Sequence, residues 1–350
     1  ATSTCASARA TRASIWPGIA YVANEGVRIS SIMAHLQAAA AGGGFTAEQS
    51  ALLDELFAAP PPTAPAGGPA RVLATAERSL EFFFKVKGDD PRFLGPRVEL
   101  PALSPAQMAD VAQRLDGRGH VLEYVHFSVV MCRSRRMAYF TAVNIDGKQI
   151  KSIPRDRDVW YFDPRLSRDD QIGPDLYARN ELDQGHLVRR TDPVWGRPAA
   201  TANEDTFHFT NCAPQHARLN RRTWLALEDY ILSNADNHDL KVSVFTGPVF
   251  RADDMTYRGA YRLPAEFWKV VVMVKPDRSL SATAYLQTQK NLLEDLEFAY
   301  GPYRTYQVAV TRIEAITGLE FGRLRDFDPL ADMESAGPAR VIGSAEDVRL

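Results

Sequence analysis

The pattern of apolar and polar positions divides the chain into a helical N-terminal segment and a larger part that carries the predicted strands. Within residues 14–40 the apolar side chains recur at roughly helical spacing, as in Val27, Ile29, Ile32, Met33 and Leu36. Residues 46–58 predict a second helix with Thr46 as its N-cap. The Pro/Gly/Ala-rich run that follows is typical of a linker. We expect a helical segment at 1–58, a linker at 59–70 and one domain at 71–350.

Beyond the linker, β-rich runs are interspersed with single helices. The pattern predicts strands at 122–131, 137–145, 206–211, 242–245, 268–274 and 283–286. The first two are joined by the basic turn CRSRR. Helices are predicted at 217–232 and 306–317, the second ending at Gly318. This order favours an α+β domain with a central mixed or antiparallel sheet flanked by helices.

Composition excludes several classes of protein. The formal net charge is −2, so a nucleic-acid site requires a local basic patch rather than a global positive field. The three cysteines, Cys5, Cys132 and Cys212, form no CxxC pair, which argues against structural zinc and a disulfide framework, although one bridge stays open. No apolar run is long enough for a membrane span. The N-terminal residues lack the apolar core of a signal peptide, which slightly favours a cytoplasmic location over secretion.

Candidate chemistry concentrates between residues 183 and 228. Three motifs, DQGHLVRR, TNCAPQ and LNRRTWLALE, carry polar groups that include Asp183, His186, Asn211, Asn220 and Glu228. Arginines surround them at positions 189, 190, 197, 218, 221 and 222. Such a cationic patch on a nearly neutral protein is what a phosphate backbone needs.

The residue types fit hydrolysis of a phosphodiester by water. A neutral histidine can take the proton of the attacking water near physiological pH. A hard cation such as Mg²⁺ stabilises the negative charge that develops, and it prefers oxygen ligands. Asn220 and Glu228 are eight residues apart, about 12 Å on a helix, so contact through a metal-bound water is feasible and direct sharing is not expected.

Each residue also has a simpler interpretation. A histidine beside glycine is more often a structural hydrogen-bonding group, Asn220 could be a helix cap, and Asn211 could close a turn. Cys132 and Cys212 could be nucleophiles, although ordinary thiols are the stronger expectation. The aromatic run 160–162 could stack on bases, although core packing or a rim position is favoured. A second Arg-Gly-His sequence, DGRGH at 116–120, precedes the first predicted strand, and we assign it to a loop.

Together the three motifs resemble the DNA/RNA non-specific endonuclease family, whose ββα-metal fold is also called the His-Me finger. The family pattern is Asp-Arg-Gly-His, then Ser/Thr-Asn-x-x-Pro-Gln, then Leu-Asn-x-x-x-Trp-x-x-Leu-Glu. Further similarity lies in TGPVF at 246–250, LPAEFWKVVV at 263–272 and IEAITGLEF at 313–321. The resemblance covers roughly residues 71–330.

This resemblance implies an Mg²⁺-dependent endonuclease that cuts DNA and RNA by reading the backbone, with Mn²⁺ as an alternative metal. It makes His186 the general base, Asn220 the direct metal ligand and Glu228 the acid that holds a metal-bound water. Asn211 would support the site, and Arg165 would be the loosely aligned arginine that contacts the scissile phosphate. Phosphate contacts are further expected from Arg189, Arg190, Arg218, Arg221 and Arg222.

One departure from the family pattern is Gln184, which stands where the family has arginine. A glutamine donates a hydrogen bond but carries no charge, so we expect a tolerated variant with altered rate or substrate preference. The alternatives are a non-catalytic binding or regulatory module derived from a nuclease, and a regulated toxin or defence effector. The N-terminal helices could dock onto the nuclease, dimerise or bind a protein partner, or they could be a simple helical extension packed on its own domain.

Overall fold

The computed structural model describes residues 75–155, 158–216, 240–275, 277–289, 304–331 and 340–342. The chain divides into two units, residues 1–68 and 69–350, and all described residues belong to the second. The N-terminal helices, the linker and the helix expected at 217–232 lie outside the described residues.

Short and long strands dominate the described part of the chain. The sixteen strands, numbered in chain order, are β1 Thr75–Glu77, β2 Ala102–Leu103, β3 Val121–Tyr124, β4 Phe127–Cys132, β5 Met137–Asp146, β6 Trp160–Phe162, β7 Leu182–His186, β8 Cys212–His216, β9 Lys241–Val249, β10 Met255–Tyr257, β11 Tyr261–Leu263, β12 Glu266–Val274, β13 Leu280–Thr288, β14 Arg304–Val308, β15 Leu319–Glu320 and β16 Arg340–Ile342. The α-helices are α1 Pro105–Ala109, α2 Ala199–Asp205 and α3 Val310–Thr317. Single 3-10 turns lie at Leu80–Lys85, Gly147–Gln149, Arg168–Asp170, Pro174–Leu176, Phe209–Asn211 and Gly322–Phe327.

Eight strands form the central sheet, in the order β16-β14-β13-β12-β9-β5-β4-β3. Every neighbouring pair in this sheet is antiparallel. The strands expected at 137–145, 242–245, 268–274 and 283–286 are present, and each extends beyond its predicted range. The central antiparallel sheet of an α+β domain is therefore confirmed, with few helices among the described residues.

Both faces of the sheet are covered, which explains why its long strands are buried at most positions. Phe267 and Val271 of β12 point to one apolar cluster, whereas Trp268 and Val270 point to the other. Along β5 all ten residues are buried. The strand pair β7–β8 and the 3-10 turn at 209–211 pack near the face of Phe267 and Val271. Helix α3 packs near the face of Trp268 and Val270.

Two strand predictions are wrong in their boundaries. The run 122–131 forms two strands rather than one, because His126 has a φ of 69° and reverses the chain between β3 and β4. Residues 206–211 form no strand, because the Asn211 side chain donates to the Thr206 carbonyl oxygen at 2.9 Å and closes a compact turn. The strand begins after this turn, at Cys212.

The prediction of a helix over 306–317 is correct only in its second half. Residues 304–308 pair with β13 as strand β14, in keeping with the β-branched and aromatic residues of RTYQV. Helix α3 starts after Ala309, where the Asp328 carboxylate accepts a hydrogen bond from the Val310 amide at 2.6 Å. It ends at Gly318, whose φ of 70° suits the left-handed cap. Among the described residues no helix has the length and apolarity needed to cross a bilayer.

Candidate active site

Residues of the first two motifs meet on a two-stranded antiparallel ribbon, formed by β7 and β8, that lies outside the central sheet. The strands are antiparallel, with Leu182 opposite His216 and His186 opposite Cys212. Gly185 is needed here for space, because a Cβ at this position would lie 2.1 Å from Oε1 of Gln215. The ribbon therefore brings DQGH and TNCAPQ together by direct backbone pairing.

Asn211 fixes the chain directly after His186. Its Oδ1 accepts a hydrogen bond from the Val188 amide at 2.9 Å, and its Nδ2 donates to the Val188 carbonyl oxygen at 2.9 Å. The backbone oxygen of Asn211 also accepts from the Leu187 amide at 2.9 Å. The sequence predicts Asn211 among the catalytic groups, and in the structure its buried side chain holds the backbone of Val188.

The imidazole of His186 lies between two aromatic rings. Its centroid is 4.9 Å from that of Trp160 and 5.1 Å from that of Phe207. Burial lowers the pKa of His186 to about 3; the charge of Asp158 opposes this shift, and Arg155 and Arg190 add to it. The ring is therefore neutral at physiological pH. Its Nε2 is buried and has no hydrogen-bond partner in the structure described.

Three charged side chains, Arg155, Asp158 and Arg190, act electrostatically on His186. Arg155 donates to Asp158 at 3.1 Å through Nε and at 2.6 Å through Nη2. Arg190 donates through Nη1 to Asn203 Oδ1 at 2.7 Å and to the Ile153 carbonyl oxygen at 3.3 Å. Burial, together with the charges of Arg155 and Arg189, lowers the pKa of Arg190. These arginines create a positive field at His186 that an anionic substrate would neutralise.

The expectation that Arg165 contacts the scissile phosphate is wrong for this structure. Its side chain is 1% exposed, pairs with Asp163 at 2.6 Å and donates to the Glu123 carbonyl oxygen at 2.8 Å. Its guanidinium also lies 3.9 Å from the centroid of the Phe83 ring. A guanidinium so enclosed is not accessible to a nucleic-acid backbone.

The exposed arginine that does lie near His186 is Arg155, which the sequence analysis did not select. In the sequence it belongs to the run IPRDRD, which lacks apolar periodicity, and it lies 31 positions before the histidine. Its side chain is 63% exposed, whereas that of its partner Asp158 is 16% exposed. A basic and acidic run directly before the apolar strand β6 is the one signal that could have identified it.

The remaining ribbon residues share the surroundings of His186. Gln184 lies two positions before His186 and so projects from the same face of the strand. Its Nε2 is buried without a hydrogen-bond partner in the part of the chain that is described. Asp183 and Arg189 are partly buried and each has at least one further interaction.

Several expected site residues lie outside the described residues. These are Arg218, Asn220, Arg221, Arg222 and Glu228. Within the described ranges no group of three or more His, Cys, Asp or Glu side chains could hold a metal ion. The metal ligands and these arginine contacts therefore stay predictions.

The competing candidates lack accessible chemistry. Cys132 and Cys212 are buried free thiols, and burial raises the pKa of Cys212 to about 12, so neither interpretation as a nucleophile is supported. Trp160 is 2% exposed and belongs to the core, as favoured from the sequence. In the DGRGH run, Gly117 and Gly119 have φ values of 72° and 85°, which confirms the loop.

Comparisons with known proteins agree with the ribbon and its motifs. The family model described as DNA/RNA non-specific endonuclease matches residues 104–326. An uncharacterized protein, y4fB, of Sinorhizobium fredii is 37% identical over 353 residues, covering 86% of this chain and 52% of that protein. Mitochondrial endonuclease G of Homo sapiens is 28% identical over 156 residues, covering 41% of this chain and 50% of that protein.

A chain of the solved EndoG/EndoGI complex matches with a TM-score of 0.46 and 21% identity, covering 58% of this chain and 85% of that chain. This chain spans about half the length of the curated relatives it matches. The family model alone covers more than half of the 350 residues and includes the whole ribbon that carries His186. The chain therefore belongs to the DNA/RNA non-specific endonuclease family.

Proposed function

We propose that this protein is an Mg²⁺-dependent endonuclease that hydrolyses phosphodiester bonds of DNA and RNA with little sequence preference. The observation that carries the proposal is the position of His186. Its neutral imidazole has a buried Nε2 without a partner in the described structure, and it lies within electrostatic reach of Arg155 and Arg190. A proton acceptor beside anion-binding groups is the arrangement that hydrolysis of a phosphodiester requires.

In the proposed step His186 accepts a proton from the attacking water. The water oxygen forms a bond to phosphorus while the bond from phosphorus to the 3′-oxygen breaks, leaving a 5′-phosphate and, after protonation, a 3′-hydroxyl. Arg155 and Arg190 hold non-bridging phosphate oxygens through their guanidinium groups. Trp160 and Phe207 restrict the orientation of the imidazole, so its reactive nitrogen keeps one direction.

The proposed Mg²⁺ ligands are Asn220 and, through a water, Glu228, with Mn²⁺ as an alternative metal. When bound, the cation stabilises negative charge on the phosphate and on the leaving oxygen. Amide and carboxylate oxygens are the donors that this hard cation prefers. The unpartnered Nε2 atoms of His186 and Gln184, on one face of the ribbon, are groups to which waters at such a site can hydrogen-bond.

Substrate recognition would rest on the sugar-phosphate backbone. We propose that Arg189, Arg218, Arg221 and Arg222 bind phosphates that flank the cleaved one. Contacts of this kind carry no sequence information and weaken steeply with salt. Gln184, which is neutral where the family has arginine, adds a hydrogen bond but no charge at this surface.

The test is plasmid cleavage with Mg²⁺ by His186→Ala, with His120→Ala as a matched control. His120 ends the competing DGRGH loop, so the same replacement there should leave cleavage unchanged. His186→Ala should lose at least about 100-fold in rate, as expected for loss of a general base. Full activity of His186→Ala would contradict the assignment. Nucleic-acid binding in EDTA without any cleavage in Mg²⁺ would instead favour the non-catalytic module.

The N-terminal helices are proposed to serve a protein partner or dimerisation. Deletion of residues 1–70 should then change the turnover number or the oligomeric state measured by light scattering. Unchanged values of both would remove this part of the proposal. The regulated toxin or defence effector is compatible with the same chemistry.

A further inference from the structure

A lysine occupies a core position on the central strand beneath the ribbon. Lys269 lies on β12 two positions from both Phe267 and Val271, so the three side chains project from the same face of the strand. Phe267 and Val271 belong to the apolar cluster on that face. The Lys269 side chain is 1% exposed. Burial of an ammonium group is unfavourable by several kcal/mol unless charged hydrogen bonds compensate for it.

The bonds of this ammonium group lead to the chain beside His186. Its Nζ donates to Thr246 Oγ1 at 3.1 Å and to the Leu187 carbonyl oxygen at 3.4 Å. Thr246 is its cross-strand partner on β9, and Leu187 directly follows His186. Lys269 therefore links the middle of the rigid sheet to the residue that follows the proposed general base.

Residues 187 and 188 are thus held from two directions. Asn211 fixes both residues from the ribbon side, and the Lys269 ammonium binds the Leu187 carbonyl from the sheet side. A bond from a charged donor is stronger than one between neutral groups. Since the His186 ring contributes no hydrogen bond through Nε2 among the described residues, its backbone carries much of the restraint on its position.

We propose that Lys269 is a positioning residue for the hydrolytic step, which sets the location of His186 through the Leu187 carbonyl group. The inference rests on the proposed function of His186 as general base. Lys269 does not touch substrate in this assignment, so its replacement should lower kcat and leave KM within about 3-fold. A misplacement of about 1 Å can lower the rate on the order of 100-fold.

The experiment compares Lys269→Met and Lys269→Gln with the control Thr246→Val in Mg²⁺-dependent cleavage of a defined oligonucleotide duplex. Methionine keeps the length of the side chain and removes the charge, and glutamine keeps a shorter polar donor. Both should reduce kcat on the order of 10- to 100-fold. Thr246→Val removes the acceptor on β9, keeps the bond to Leu187 and should retain kcat within about 3-fold.

A double variant separates positioning from independent effects. Because Lys269 acts through His186, adding Lys269→Met to His186→Ala should change the residual kcat less than about 2-fold. A full second reduction in kcat would overturn the proposal, as would an increase in KM with unchanged kcat.

Amide hydrogen exchange provides a readout without substrate. Lys269→Met and Lys269→Gln should each accelerate exchange at the Leu187 and Val188 amides relative to the amides of β13, and Thr246→Val should not. Unchanged exchange at 187 and 188 would refute the link. If His186→Ala stayed fully active, the proposed function would fail, whereas the exchange result would still decide the position-setting role of Lys269.

Discussion

Two clusters of the same composition lie in this domain, and only one of them reaches the surface. Each contains a histidine and an arginine–aspartate pair. The rim cluster consists of His186, Arg155 and Asp158. The core cluster consists of His208, Arg165 and Asp163. In both, burial lowers the pKa of the histidine, to about 3 for His186 and about 4 for His208.

Access separates the two clusters, whereas residue identity and pKa do not. In the rim pair Arg155 is 63% exposed, but in the core pair Arg165 is 1% exposed and Asp163 is fully buried. The core pair is completed by the Tyr124 hydroxyl, which donates to Asp163. An exposed pair can exchange its carboxylate for a phosphate, while a fully bonded interior pair can only stabilise the fold. A site is therefore recognised by reactive groups together with a route to them.

The largest expected effect is on stability, from Arg165→Met in the core cluster. Removal of the guanidinium leaves Asp163 buried without its cation, which should lower the free energy of unfolding by about 3–5 kcal/mol. Urea denaturation followed by circular dichroism measures the change. Restoring neutrality with Asp163→Asn in the same chain should recover part of the loss. A variant as stable as the native protein would show that the pair is not structural.

The next effect is on catalysis, from Arg155→Ala in the rim cluster. Loss of a phosphate donor should reduce kcat/KM on the order of 100-fold, by analogy with removal of one oxyanion donor. Stability should change by less than about 1 kcal/mol, because the Arg155 side chain is largely solvent-exposed, which weakens its pair with Asp158. Steady-state kinetics and the urea midpoint give both values.

The matched control for this variant is Arg133→Ala. Arg133 is 58% exposed and pairs with Asp110 at 3.8 Å, but it lies on the turn between β4 and β5. The kcat/KM of Arg133→Ala should stay within about 2-fold of the native value. Equal losses in the two variants would mean that Arg155 contributes only general positive charge.

Local sequence pattern was sufficient for two features. DQGH and TNCAPQ are contiguous motifs, so each can be recognised without knowledge of the fold. The long strands of the central sheet were predicted, because burial on both faces leaves nearly continuous hydrophobic runs. The pairing of β7 with β8, which joins the two motifs, was not predicted, because the paired residues are distant in the chain.

The failures have a different physical origin. The choice of Arg165 over Arg155 required knowledge of which guanidinium is enclosed, and burial is set by contacts such as that with Phe83, 82 positions away in the chain. Residues 206–211 were predicted as a strand, because the turn is closed by the Asn211 side chain and such a bond leaves no periodic pattern in the sequence. Lys269 could not be distinguished from a surface lysine, since its partners Leu187 and Thr246 are distant from it in the chain.

The smallest expected effect is the pH dependence of stability that arises from the core cluster. His208 is fully buried, donates through Nδ1 to the Asp205 carbonyl oxygen at 2.8 Å, and faces Asp163, Arg165 and Arg78. Because its folded pKa of about 4 lies below the usual 6.5, the unfolded chain binds a proton first as the pH falls. This histidine therefore stabilises the fold above pH 6.5 and loses that contribution between 6.5 and 4.

The variant His208→Gln removes this titration. Between pH 7.5 and pH 5.5 the native protein should lose about 1 kcal/mol more stability than the variant, since each pH unit below 6.5 is worth up to about 1.4 kcal/mol for one histidine. Asp205 acts in the opposite sense, because burial raises its pKa to about 7, so the difference between native and variant curves is the quantity to measure. Parallel curves would show that a proton reaches His208 in the folded state. The assignment of the core cluster as an enclosed cluster would then fail.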